Sequence, residues 1–116
     1  MGKRARRRAK DAPSATFDYT DADGNVLTVR ERVSAGTAAK LREPAGGAAA
    51  STDDLWRRRT ELLFERFAVS WTIAGLPLTG QKELLGRYRM ADQATQQWVR
   101  ETLDEHLRAH QPELAE

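Results

Sequence analysis

The chain has 116 residues, 31% of them charged, and no cysteine. That length suits one domain with tails, and the lack of cysteine excludes a disulfide scaffold, a thiol nucleophile and a thiolate zinc site. The net charge of +2 hides an asymmetry: the first ten residues, MGKRARRRAK, carry six cations, whereas the other 106 sum to −4, with 13 Lys and Arg against 17 Asp and Glu.

In chain order, residues 1–14 form a basic arm with no apolar periodicity, which predicts disorder until something binds it. No apolar h-region follows this arm, and no stretch approaches the roughly 18 apolar residues of a membrane span, so a cytoplasmic protein without membrane contact is expected. Gly2 does not signal myristoylation, because Arg6 stands where that motif needs Ser or Thr. Thr16 to Ala22 and Asn25 to Arg32 are rich in β-branched and aromatic residues and flank Asp23-Gly24, which predicts a β-hairpin. Two strands alone are marginal in water, so Phe17, Tyr19, Val26, Leu27 and Val29 must dock on something.

Ser34 to Arg42 predicts a short capped helix, completing a segment 15–43, and residues 44–51 read as a linker. Residues 52–111 then predict a three-helix unit, followed by a tail at 112–116. Its first helix runs from Leu55 to Ala74 behind a Ser51/Asp54 capping box, with Gly75 and Pro77 as stop signals. Thr79 is the expected cap of a second helix ending near Met90, and Asp92 of a third ending near Pro112. The expected fold class is α+β, mostly α: an N-terminal hairpin docked on three helices.

On a helical wheel the apolar residues between Leu55 and Ala74 cover an arc of roughly 220°, more than one neighbouring surface can bury. Either this helix is central to the domain, or it forms an interface with a second copy or a partner protein. In the second case Trp56, Phe64, Phe67 and Trp71 are the anchors, because buried aromatics dominate interface energy. Arg59 and Arg66 fall in the same arc. They either lay their stems on apolar surface and send their heads to water or to Glu101, Asp104 or Glu105, or they pair with an acidic partner. Much of the charge of Arg57-Arg58-Arg59 is compensated by i, i+4 pairs of Asp53 with Arg57, Asp54 with Arg58 and Arg57 with Glu61.

Signals for chemistry are sparse. Asp21-Ala-Asp23-Gly-Asn25 opens like a calcium loop, but Val26 replaces the required Gly and Arg32 the bidentate Glu. His106 and His110 share a helical face without a third ligand or the Glu of H-E-x-x-H, so packing or interaction with the helix C-terminus explains them better than metal. There is no phosphate-binding glycine loop, no dinucleotide fingerprint and no nucleophile beside a base, so neither an enzyme nor a cofactor is expected. Lys3, Arg4, Arg6, Arg7, Arg8 and Lys10 suit the phosphate backbone of a nucleic acid, or serve only solubility. A helix-turn-helix reading of the last two helices, with Thr95, Gln96, Gln97 and Arg100 facing bases, fails on Glu101, Asp104 and Glu105.

The order of elements, FDYTDADGNVLTVRE, then SAGTAAKLRE, then helices containing LLFERF, resembles the small tail-assembly chaperones of actinobacterial phages, over about residues 17–43. The abundance of Arg over Lys and of Ala fits such a high-GC source. The resemblance implies a non-enzymatic helical protein that binds a structural protein during assembly. The sequence thus favours an adaptor or assembly protein acting through its aromatic helix, with nucleic-acid binding through the arm as the alternative.

Overall fold

The structure, a computed structural model, describes residues 15–42 and 52–115, with the side chains of residues 52–54 and 56 excepted. The basic arm and the linker therefore lie outside the described residues, as does the Ser51/Asp54 capping box. The described fold is α+β, with four helices and one four-stranded antiparallel sheet in the order β1-β2-β3-β4.

β1 (Thr16–Thr20) and β2 (Val26–Arg30) form the expected hairpin, with shorter strands than the residue types suggested. Its loop is Ala22-Asp23-Gly24, closed by a 2.9 Å bond from Asp21 N to Asn25 O. Gly24 takes φ 83°, which a side chain would resist. One Asp21 carboxylate oxygen accepts from the amides of Asp23 at 2.8 Å and Asn25 at 2.9 Å. The would-be calcium ligand is thus committed to turn backbone. α1 (Ala35–Arg42) begins as expected, with Ser34 Oγ accepting from Thr37 N at 3.2 Å.

The main correction concerns the first long helix. α2 spans Thr52–Phe67, and the chain then changes to strand β3 (Ala68–Ile73), a tight turn and strand β4 (Leu76–Thr79). Ala74 at φ 53° and Gly75 at φ 79° occupy the two positive-φ positions that suit a two-residue hairpin. Gly75 is therefore a hairpin residue, not a helix terminator. Pro77 sits on the sheet edge, where its missing N–H costs no internal ladder bond. Val69, Trp71 and Ile73 alternate with Ser70 and Thr72, so their β-branched and aromatic character satisfies a strand period as well as a helical one. Pairing with β2, which sets Leu27 opposite Trp71, favours the strand. The unit expected to hold three helices thus contains three helices and half of the sheet.

α3 (Gln81–Met90) is preceded by Gly80 at φ 98°, which takes the N-cap position expected for Thr79. α4 (Gln93–His110) starts as expected, with the Asp92 side chain accepting from Thr95 N at 2.8 Å. Hydrogen bonding from the Thr95 side chain, together with this backbone bond, holds the Asp92 carboxyl below its ordinary range. The chain then makes a 3-10 turn at Pro112–Leu114.

The helices contact one face of the sheet. Phe64 of α2 meets Trp71 of β3 edge-on at 5.7 Å, Arg87 of α3 lies 5.8 Å from the Trp71 ring, and His106 of α4 packs on Phe17 and Tyr19 of β1. Leu27, Val29, Val99, Leu103, Leu107 and Leu114 complete a single buried core between these layers.

Candidate functional site

Three of the four expected anchors lie inside the core. Phe64 and Phe67 are fully buried and Trp71 is 1% exposed. Phe64 stacks on Tyr88 at 5.1 Å. The Trp56 side chain lies outside the described residues. The broad apolar arc is accounted for without a partner over its second half, because Val69, Trp71 and Ile73 belong to β3. The apolar side chains left open among the described residues are Leu55 and Leu62 on α2, Leu76 on β4 and Met90 at the end of α3.

Arg59 and Arg66, expected to act together, have different surroundings. Arg59 is half-buried and donates to two backbone carbonyls, through Nη1 to Leu41 O at 2.8 Å and Nη2 to Leu114 O at 2.6 Å. Leu41 lies near the end of α1 and Leu114 at the end of the 3-10 turn, positions at which a helical segment's last carbonyls lack intrahelical donors. Arg66 is exposed at the end of α2, and its carbonyl accepts from Arg30 Nε at 3.1 Å.

That bond defines a corner of the molecule. Arg30 ends β2 opposite Thr16, the first residue of β1, and Ala15 O accepts from Glu31 N at 2.7 Å beside them. The exposed side chains of Arg30 and Arg66 therefore stand where the basic arm joins the folded body. These residues are 36 apart in sequence, and no linear motif marks them.

The sheet face opposite the helices continues from this corner. The register places Thr16, Thr20, Thr28, Ser70, Thr72 and Thr79 on it, together with Asp18, Val26, Arg30 and Pro77. These residues are exposed or half-buried, and no helix among the described residues contacts them as a layer. The Asp18 carboxylate accepts the Thr28 hydroxyl at 2.6 Å, so the one acid within this face is already bonded. Asp21 and Asp23 lie at the far end, in the hairpin loop.

On the helical side, a cavity of about 120 Å3 opens between α2 and α4. Leu63, Leu103, Leu107 and Leu114 line its floor, with Arg59, Arg100, Glu101 and Asp104 at its margin. Such a cavity is of a size to hold one apolar side chain.

His106 is buried at 1% exposure, and both ring nitrogens have protein partners. Nδ1 lies 2.6 Å from the Tyr19 hydroxyl, and Nε2 lies 2.8 Å from Arg30 O and 3.2 Å from Glu31 O. His110 Nδ1 lies 3.7 Å from a Glu31 carboxylate oxygen. Among the described residues no group of three or more His, Cys, Asp or Glu side chains is arranged to hold a metal ion. No described helix is long and apolar enough to cross a membrane.

The fold and its candidate site define a two-layer α+β body with a cationic corner. Comparison with protein-family models, curated proteins and solved structures finds no match to the chain.

Proposed function

We propose that this is a non-enzymatic protein that binds the phosphate backbone of nucleic acid through its basic arm and the adjoining corner of the sheet. One observation carries the reading: Arg30 and Arg66 stand exposed where an arm bearing Lys3, Arg4, Arg6, Arg7, Arg8 and Lys10 enters the fold. Guanidinium groups match phosphate geometry, and serine and threonine hydroxyls are common phosphate donors. The sheet face beside the corner supplies such hydroxyls at Thr16, Ser70 and Thr79. The contacts this reading uses are all to phosphate, so the binding is largely blind to sequence.

The test is fluorescence anisotropy of the full chain on a labelled 20-base-pair duplex across a salt series. Six arm contacts give a slope of log affinity against log salt of about −5. Replacing the six arm cations with Gln should remove most of that slope. A variant that binds as tightly as the parent, or a parent that fails to bind at low salt, rejects the reading.

A second reading, an adaptor or assembly protein, is favoured by the cavity between α2 and α4 and by the exposed Leu62 on α2. Its partner is an amphipathic helix that seats one large apolar side chain in the cavity. The aromatic residues first expected to anchor such a partner are replaced in this reading by the leucine-lined floor. A stoichiometric protein that is captured after nuclease treatment, and is lost with Leu62→Glu, would support this reading over the first.

A further inference from the structure

Tyr19 on β1, the backbone of Arg30 and Glu31 at the end of β2, and α4 meet at one imidazole. The two carbonyls facing His106 Nε2 can only accept, so Nε2 carries the ring proton. Nδ1 is then a lone pair and receives the Tyr19 hydroxyl proton. Both strands of the first hairpin hydrogen-bond to α4 through this one side chain, and Phe17 also packs on the His110 ring at 4.3 Å.

We propose that His106 is an acid-sensitive latch: protonation at Nδ1 displaces the Tyr19 donor and loosens β1 from α4. The proposal stands independently of nucleic-acid binding. A proton on Nδ1 would face the hydroxyl proton of Tyr19, so the hydroxyl must turn around and give up its only observed acceptor. The new charge would also sit in an aromatic setting. Phe17 and Tyr19 of β1 each lie at 5.6 Å and Phe67 of α2 at 6.0 Å, ring to ring.

The charged neighbours do not remove this cost. From α4, the His110 ring lies 4.6 Å away and opposes a second cation, while burial, and after it Glu105, raises the pKa of the Tyr19 hydroxyl. From β2, the Glu31 carboxylate and the carbonyls of Arg30 and Glu31 favour the cation. Burial outweighs them and keeps the imidazole below its ordinary value. In the open state the ring recovers an ordinary pKa near 6.5, to order of magnitude. The latch is therefore at full strength above that pH and weakens as pH falls toward the closed-state value, below which its strength is constant.

Amide hydrogen exchange by NMR on the full chain, corrected for intrinsic rates, tests this. Opening at Phe17 and Tyr19, relative to Leu103 and Leu107 in α4, should rise about tenfold per pH unit below about 6.5. The same slope should be absent in His106→Gln, which keeps a donor toward Arg30 O. In His110→Gln it should start at the same pH but level off at a higher one, because without the competing cation the closed-state value rises toward the open-state value. Ring carbon shifts of His106 in the parent protein give a reading that does not depend on any variant folding: they should titrate together with β1 exchange. Titration of the ring with unchanged β1 exchange overturns the latch, as does a pH response that survives in His106→Gln.

Discussion

A guanidinium, unlike an ammonium, can serve two acceptors in divergent directions, and Arg59 uses that property to join Leu41 and Leu114, residues 73 positions apart in sequence. Bonds from a charged donor contribute about 1.5–3 kcal/mol each, and a carbonyl left buried without a donor costs extra. Arg59→Ala is expected to lower unfolding stability by about 2–4 kcal/mol. Arg59→Lys should recover less than half of that, because a single ammonium on a flexible stem cannot replace the fork. Urea denaturation measures both; equal stability of the Lys variant and the parent would remove the clamp from the account. Phe64, Phe67 and Trp71 show why residue type alone leaves core and interface open. An aromatic on an amphipathic helix reads the same whether its neighbours come from its own chain or another, and here they come from β3 and α3. Trp71 retains a cost of its placement, since its indole Nε1 is buried without a hydrogen-bond partner.

At the scale of elements, the two hairpins differ in how plainly the sequence announces them. Asp23-Gly24 is a strong turn signal between alternating strands, and β1 and β2 fall where it predicts. Asp92 likewise marks the start of α4, because its side chain supplies the amide acceptor that a helix end lacks. The second hairpin was hidden for two reasons. Val69, Trp71 and Ile73 fit both periods, and Ala74-Gly75 is a weaker turn signature than Asn-Gly although it takes the same positive-φ conformation. The outcome was decided by the pairing of β3 with β2, whose sequence lies about 40 residues earlier and separated by two helices. Ala74 pays for φ 53° with local strain that asparagine tolerates better. Ala74→Asn should therefore raise stability by about 0.5–1 kcal/mol, visible as a higher melting temperature. A helix through this position would respond in the opposite direction, because asparagine has poorer helix propensity than alanine. The sign of the shift distinguishes the two.

At the scale of the whole molecule, charge and topology combine in a way that no segment shows alone. The arm was legible as a run of cations, whereas the corner it enters was not, because Arg30 and Arg66 meet only when the end of β2 lies beside the end of α2. The hydroxyl-bearing sheet face was equally hidden: its Thr and Ser residues are scattered along four strands and share a face only through the register. If the corner takes part in phosphate binding, its two guanidiniums act as further sites of counterion release in addition to the arm. Replacing Arg30 and Arg66 together with Gln should weaken binding to a duplex by a similar factor whatever the base sequence, and should reduce the salt slope by about 2. Because both side chains are exposed, the melting temperature should fall only slightly, the loss of the bond from Arg30 to the Arg66 carbonyl being the main structural cost. An unchanged salt slope would confine binding to the arm and leave the body as its carrier, whereas a slope lost in the arm variant and in the corner variant alike would make arm and corner one continuous surface.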